Sequence, residues 1–208
     1  MPVIAIDGPA GSGKSTVARA LARRLGLDHL DTGAMYRSVA FAALRDGIDP
    51  HDAPAVATLA QRLIIDVDDR VLVDGVDATT AIRGPAVSVA VSAVAQNASV
   101  REELVHRQRR WVAARPGAVV EGRDIGTVVL PDADLKVYLT ASDAERTRRR
   151  AEEGGQPSPA AVAADLARRD HIDSTRAASP LAVAEGALVI DTTDKTVAEV
   201  VAQVLDRL

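Results

Sequence analysis

The chain contains no cysteine among its 208 residues. Disulfides, thiolate metal sites and cysteine nucleophiles are therefore excluded. Aromatic residues are nearly as scarce, with one Trp, two Tyr and one Phe. A protein that grips single-stranded nucleic acid needs aromatic platforms for stacking, and this chain can build almost none. Any base held here has to be read by hydrogen bonds and apolar walls. An excess of positive charge is missing too, the formal net charge being −4. That argues against binding nucleic acid by bulk charge, although a cleft lined with arginines can hold a nucleotide locally. The apolar run Val3-Ile4-Ala5-Ile6 follows no basic segment and is too short for a signal peptide or a membrane span. The expectation is a cytoplasmic protein that engages no membrane. His29, His51, His106 and His171 are scattered without metal-ligand spacing and read as surface residues, not as ligands or bases. No internal repeat or low-complexity tract occurs.

What is present starts with enough apolar material, 47% of residues, to bury one substantial core. The first apolar run leads into Gly8-Pro9-Ala10-Gly11-Ser12-Gly13-Lys14-Ser15-Thr16. This fits G-x-x-x-x-G-K-[ST], the phosphate-binding loop, in its strand–loop–helix context. Glycines let the backbone curl so that successive N–H groups point at one anion, and the following helix adds its positive end. Lys14 reaches the outer phosphates, and the Ser15 hydroxyl can ligate Mg²⁺. The competing reading, a glycine-rich turn that happens to contain a lysine, does not account for that context.

Along the chain, Lys14 to Leu25 carries apolar residues at helical spacing and is closed by Gly26. A short strand is expected at Leu27–Asp31, then helices from about Gly33 to Arg45 and, capped by Asp52, to about Leu63. Ile64 to Asp77 reads as a small antiparallel sheet, followed by helices at about Pro85–Ala95 and Val100–Arg115. Ala118–Glu121, Leu135–Leu139 and Leu188–Ile190 read as core strands. Helices are expected from Asp143, from Pro159 to Arg169 and from Val197 to Leu208, with a turn or hinge over Glu153 to Pro159. Apolar strands alternating with helices predict an α/β fold, a parallel sheet of about five strands with helices on both faces.

Ligands of such sheets sit at the carboxyl ends of the strands. Asp31-Thr32-Gly33-Ala34-Met35-Tyr36-Arg37 follows the second strand and Gly122-Arg123-Asp124 the fourth region of apolar sequence. Arg169-Asp170-His171-Ile172-Asp173-Ser174-Thr175-Arg176 adds two more arginines. Arg37 offers a fork of donors to a phosphate, but taken alone it reads better as a helix-surface arginine. Three separated arginine-bearing segments together suit a polyanion that is being transferred.

These motifs, with Glu121-Gly122-Arg123-Asp124-Ile125-Gly126-Thr127 completing the third, are similar to those of the bacterial cytidylate kinases, P-loop nucleoside monophosphate kinases. The resemblance runs from Val3 to the last helix. It implies a single kinase domain over 1–208: a core of 1–47, 100–145 and 177–208, a small CMP-binding insert at about 48–99 and a short mobile lid at about 146–176. It implies Mg²⁺-dependent transfer of the ATP γ-phosphoryl group to CMP or dCMP, in pyrimidine nucleotide metabolism. Charge and aromatic content argue against a nucleic-acid partner, and with no exposed apolar stripe in the sequence a monomer is the default expectation.

By the same resemblance, Gly8 to Thr16 bind the ATP phosphates, with Lys14 catalytic. Arg37 and Arg123 hold the CMP phosphate, and Ser92, Arg101 and Asp124 read cytosine. Thr32, where many relatives carry Ser, and Tyr36 line the acceptor site. Arg169 and Asp173 hold the sugar, and Arg176 bridges sugar and phosphate charges. Arg146, Arg149 and Arg150 stand where the lid brings charge to the transferred group, with Arg149 among the catalytic residues, though a solvated helix face accounts for them almost as well. Gly154-Gly155 is the expected hinge of that lid. The rival readings are another P-loop small-molecule kinase, acting on UMP, AMP, shikimate or gluconate, and a non-catalytic nucleotide-binding switch.

Overall fold

Short apolar runs punctuated by Gly, Pro and Asp decide where strands begin and stop in this chain. The computed structural model describes residues 1–152, 158–176 and 179–208. In chain order the elements are β1 (Val3–Asp7), α1 (Lys14–Leu25), β2 (Asp28–Asp31), α2 (Thr32–Arg45) and α3 (Ala53–Arg62). Next come β3 (Ile65–Val67), β4 (Val71–Val73), β5 (Val76–Asp77), α4 (Pro85–Gln96) and α5 (Ala98–Ala113). β6 (Ala118–Gly122), β7 (Leu135–Thr140), α6 (Asp143–Glu152), α7 (Pro159–Thr175), β8 (Leu188–Asp191) and α8 (Val197–Leu205) complete the chain. The chain divides into two units, residues 1–29 with 112–208 and residues 30–111.

The first unit is built on a sheet of order β2-β6-β1-β7-β8, in which β1 runs parallel to both β6 and β7, and β7 parallel to β8. β1 is central because both of its edges are paired and it is almost entirely apolar. Side chains alternate along a strand. Ile4 and Ile6 therefore point one way, together with Val119, Val137, Leu139 and Ile190 at matching register. They bury against Val17, Leu21 and Ala22 of α1 and Val200, Val201 and Val204 of α8. α8 begins with a capping box, Thr196 accepting from the Glu199 N–H while the Glu199 carboxylate accepts from the Thr196 N–H. Ala5 and Val120, on the opposite face, are fully buried.

The second unit holds α2, α3, α4 and most of α5 with the antiparallel sheet β3-β4-β5. Asp31 and Asp52 cap α2 and α3 by accepting from the N–H groups of Ala34 and Ala55. Asn97 does the same for α5, accepting from Ser99 and Val100. Val39, Val56, Leu59, Ile82 and Leu104 form its buried interior.

Four features depart from the sequence reading. α7 does not stop at Arg169 but continues to Thr175, because no Gly or Pro interrupts it before Arg176. α8 ends at Leu205, three residues short of the expected end at Leu208. Ile125–Val129 form a π-turn that no periodicity announces. His29 is not a surface residue: it is half-buried and engaged by a carboxylate, whereas His51, His106 and His171 are exposed. The expected hinge at Gly154-Gly155 lies outside the described residues. Among the described residues, no helix is long and apolar enough to cross a membrane.

Candidate active site

The loop after β1 takes its shape from glycine. Gly8, Gly11 and Gly13 have φ of 149°, 76° and 85°. The last of these is the N-cap of α1 and provides no side-chain cap. The first N–H groups of the helix are thereby left for an anion. Lys14 is buried and its Nζ donates to the Pro9 carbonyl at 2.7 Å, so the ammonium lies across the loop. Burial, and next the repulsion of Arg123, pulls the Lys14 pKa from an ordinary 10.5 down to about 7. Glu121, Asp7 and Asp173 oppose that shift through their negative charge.

Of these neighbours, Asp7, Glu121 and Arg123 come from strand ends, as the sheet dictates, and Asp173 from α7. Asp7 closes β1 and turns its carboxylate to the π-turn, accepting from the N–H groups of Ile125 at 2.8 Å and Gly126 at 2.7 Å. Burial outweighs these bonds and raises the Asp7 pKa from 3.8 to about 6. Glu121 near the end of β6 is in register with Ile6 and so faces α1. It accepts the hydroxyl hydrogen of Ser15 at 2.7 Å through one oxygen and lies 3.0 Å from His29 Nε2 through the other.

Arg123 and Asp124 follow β6. Arg123 donates to Asp173 of α7 at 2.8 Å, and Arg176 spans Asp124 at 3.4 Å and Asp173 at 3.5 Å. Extension of α7 by more than a turn past Arg169 brings Asp173 and Arg176 to this cluster. Arg169 is buried and pairs with Asp165 at 2.9 Å, and burial lowers its pKa. The charge of Arg150 lowers it further, which places Arg150 in the same field.

α6 runs beside the phosphate loop. Arg146 donates to the Ala10 carbonyl at 3.2 Å and to Asp143 and Asp170. Arg149 donates to the Thr192 hydroxyl at 2.9 Å and to its carbonyl at 2.7 Å, and that hydroxyl in turn donates to the Ser12 carbonyl. Arg146 and Arg149 therefore hold the loop's backbone and the strand end after β8, in addition to carrying charge to its edge.

Within the second unit a separate polar group forms. Thr32 is buried in the first turn of α2, and Arg37 one turn later donates to Ser88 at 3.2 Å and to the Ile82 carbonyl. Ser92 stands one helical turn after Ser88 on α4. Arg101 is buried, with its guanidinium 5.5 Å from the centre of the Tyr36 ring, an attractive cation–π arrangement. Thr32, Tyr36 and Arg37 thus share α2, and Arg37 and Tyr36 are joined to α4 and α5.

The sequence reading did not assign Glu121, Asp7, Ser88 or Thr192, and it dismissed His29. Glu121 and Asp7 did carry a signal, since each is a carboxylate ending an otherwise apolar core strand. Ser88 and Thr192 carried none, because their partners are remote in sequence.

Among solved structures, a gluconokinase from Sinorhizobium meliloti superposes with a TM-score of 0.54 at 16% identity, covering 99% of this chain and 90% of that one. Shikimate kinase from Acinetobacter baumannii gives 0.51 at 16% identity, over 99% and 92%. At such identities the likeness concerns the fold, that of the P-loop kinases. Cytidylate kinase from Mycolicibacterium paratuberculosis is 52% identical, over 98% of this chain and 93% of its own length. The enzyme of the same name from Pelotomaculum thermopropionicum is 49% identical, over 100% and 96%. The sequence model for cytidylate kinase matches residues 4–208, and the chain belongs to that family.

Proposed function

We propose that this chain transfers the γ-phosphoryl group of ATP to CMP or dCMP, yielding ADP and CDP or dCDP. The observation that carries the reading is the family match over residues 4–208, joined by relatives at about half identity across the whole chain. The donor side is the loop from Gly8 to Thr16 with Lys14. The acceptor's phosphate, sugar and base fall to Arg37, Arg123, Arg169, Asp173 and Arg176, and to Thr32, Tyr36, Ser92, Arg101 and Asp124. Residues 146–176 act as the lid and residues 48–99 as the CMP-binding insert.

The CMP phosphate, like other phosphate monoesters, has a second pKa of about 6 and is mostly a dianion at neutral pH. Its oxygen is already nucleophilic, so the acceptor needs no general base. The work left to the protein is alignment and neutralisation of charge. Lys14 meets the donor's phosphates, and arginines on α6 and after β6 bring further positive charge. Closure of the lid keeps water, the competing acceptor, away.

A Mg²⁺ ion fits the chemistry of this site. The Ser15 hydroxyl and the Glu121 carboxylate, 2.7 Å apart, are hard oxygen donors beside the phosphate loop. Mg²⁺ in phosphoryl-transfer sites takes one or two such groups together with substrate phosphates and water. When bound, the ion offsets charge on the transferred phosphoryl group.

A coupled ADP-release assay across CMP, dCMP, UMP, AMP and shikimate tests the reading. Turnover is expected with CMP and dCMP and not with shikimate; ATP hydrolysis that ignores every acceptor overturns it. In the same assay Arg101→Ala is expected to reduce the preference for CMP over UMP by about tenfold or more, the worth of a lost charged hydrogen bond to the base. An unchanged ratio of kcat/KM removes Arg101 from base recognition.

ATP binding is also expected to take up protons. With its pKa at about 7, Lys14 is mostly neutral at pH 8 in the free protein. A bound phosphate favours the ammonium and restores its pKa. Up to about 0.9 proton is then taken up at pH 8, falling to about half a proton at pH 7. Calorimetry in buffers of different ionisation enthalpy measures this directly, and a binding enthalpy independent of buffer at pH 8 contradicts it.

A further inference from the structure

The turn that follows Arg123 and Asp124 is capped from another strand. Asp124 holds the N-cap position of the π-turn Ile125–Val129, yet its side chain makes no capping bond there. Aspartate at that position ordinarily accepts from the first N–H groups of its own turn. Here two of them go to Asp7 instead, Ile125 N–H to one carboxylate oxygen at 2.8 Å and Gly126 N–H to the other at 2.7 Å. Asp7 is fixed in the sheet, since it ends β1 with its backbone in register with Gly122 on one side and Tyr138 on the other. It is buried, and burial raises its pKa to about 6. At neutral pH it is still mainly ionised, so the fold retains a charge that burial disfavours. The Asp124 carboxylate is turned elsewhere, to Arg176 at 3.4 Å.

We infer that Asp7 is a positioning residue for base specificity: by capping the π-turn from β1, it keeps the Asp124 carboxylate turned toward Arg176 and the acceptor's base. This rests on the kinase reading above, in which Asp124 faces cytosine. The physical argument is a competition for two donors. The first N–H groups of a helical turn have no partner within it, and a buried one left unpaired costs free energy. With Asp7 in place both are satisfied. The two carboxylates already repel each other, which raises the Asp7 pKa further, so Asp124 gains nothing by turning back to the same donors. Without Asp7 that balance reverses. The local acceptor for the two N–H groups is then the Asp124 side chain, in the capping role its position favours, and a carboxylate that caps its own turn is withdrawn from the base. Asp7 thus acts on the acceptor through Asp124, which separates it from a residue that merely supports β1.

The test compares kcat/KM for CMP and for UMP, and the affinity for a non-hydrolysable ATP analogue, in the wild type, Asp7→Asn, Asp124→Asn and the double variant at pH 7. Asn at position 7 keeps the size of the side chain and one acceptor oxygen but sets an NH₂ group against the second N–H. The CMP-to-UMP ratio is expected to fall about tenfold or more in Asp7→Asn, the worth of a charged hydrogen bond to the base, with the analogue's affinity nearly unchanged. The double variant is expected to discriminate no worse than Asp124→Asn alone, because residues that act through one another are not additive. An unchanged ratio in Asp7→Asn overturns the inference, and so do additive losses in the double variant. An equal fall in analogue affinity overturns it as well, since Asp7 then acts through the charge it places near Lys14. A wild type that turns over CMP and UMP equally removes Asp124 from base recognition, and one that turns over neither overturns the kinase reading; the role of Asp7 falls with each. Asp7→Ser, smaller but still an acceptor, is made alongside. If thermal scans find neither variant at position 7 folded, Asp7 serves the fold and not the site, and the inference fails.

Discussion

Lys14→Ala lowers phosphoryl transfer by about 10²- to 10³-fold, the loss seen when one preorganised donor is removed from a site of developing negative charge. Lys14 lies buried across the loop, its ammonium donating to the Pro9 carbonyl, and among the described residues it forms no ion pair with a carboxylate. An ammonium held at a pKa of about 7 is stabilised by the fold far less than it is by water. Its removal therefore costs the free protein little. Loss of the bond to Pro9 and relief of the buried charge act in opposite directions, and the unfolding temperature is expected to stay within about 4 °C of the wild type. The same variant loses the thermal stabilisation that ATP confers on the wild type, because ligand stabilisation follows affinity. Steady-state kinetics at saturating ATP and CMP, with thermal scans with and without ATP, check both halves. Near-normal kcat contradicts the assignment of Lys14 to the transferred phosphate; a collapsed fold contradicts the account of its burial.

The contrast between Lys14 and its neighbours explains what could be read in the sequence. The phosphate loop was legible because its chemistry is local: glycines, lysine and hydroxyl lie within nine consecutive residues. Four strands of the five-stranded sheet, β1, β6, β7 and β8, were legible because each is built on a short apolar run with clear punctuation, whereas β2, Asp-His-Leu-Asp, has a single apolar residue and was read from its place between two helices. The arginine pairings were not. Arg123 with Asp173 and Arg176 with Asp124 depend on how far α7 runs, and that extent is set by tertiary packing as much as by local propensity. His29 shows the same limit in a single residue. One histidine without metal-ligand spacing has no sequence feature that distinguishes a surface position from contact with a strand-end carboxylate 92 residues away. The π-turn at Ile125–Val129 was hidden because its cause is Asp7, whose buried carboxylate collects two N–H groups from a segment over a hundred residues distant. Carboxylates at or near the ends of apolar strands were thus an underused signal, and two of them, Asp7 and Glu121, proved to organise the loop's surroundings.

The first glycine of the loop sets the limit on how far this arrangement tolerates change. Gly8 has φ of 149°, a region that side-chain-bearing residues rarely occupy. A Cβ placed there meets the Leu139 carbonyl oxygen at 2.0 Å and comes within 3.2 Å of Ser12 Oγ. Leu139 is fully buried in β7, where its register partner is Ile190 of β8. That carbonyl cannot retreat without disturbing the sheet, so the clash has to be absorbed by the loop. Backbone strain of about 1–3 kcal/mol and overpacking of similar size together predict a loss of about 2–6 kcal/mol for Gly8→Ala. For a chain of this length the middle of that range corresponds to an unfolding temperature lower by about 10 °C. Gly26→Ala is the control. Gly26 also has positive φ, 66°, but nothing lies within 4 Å of its added Cβ. Its cost is the conformational one alone, about 1 kcal/mol. Calorimetric unfolding of the two variants separates strain from collision. Equal losses contradict the close approach of the phosphate loop to β7. A large loss confined to Gly8→Ala, together with weakened ATP binding in the fraction that folds, supports a loop whose anion-binding curvature is held by the neighbouring strand.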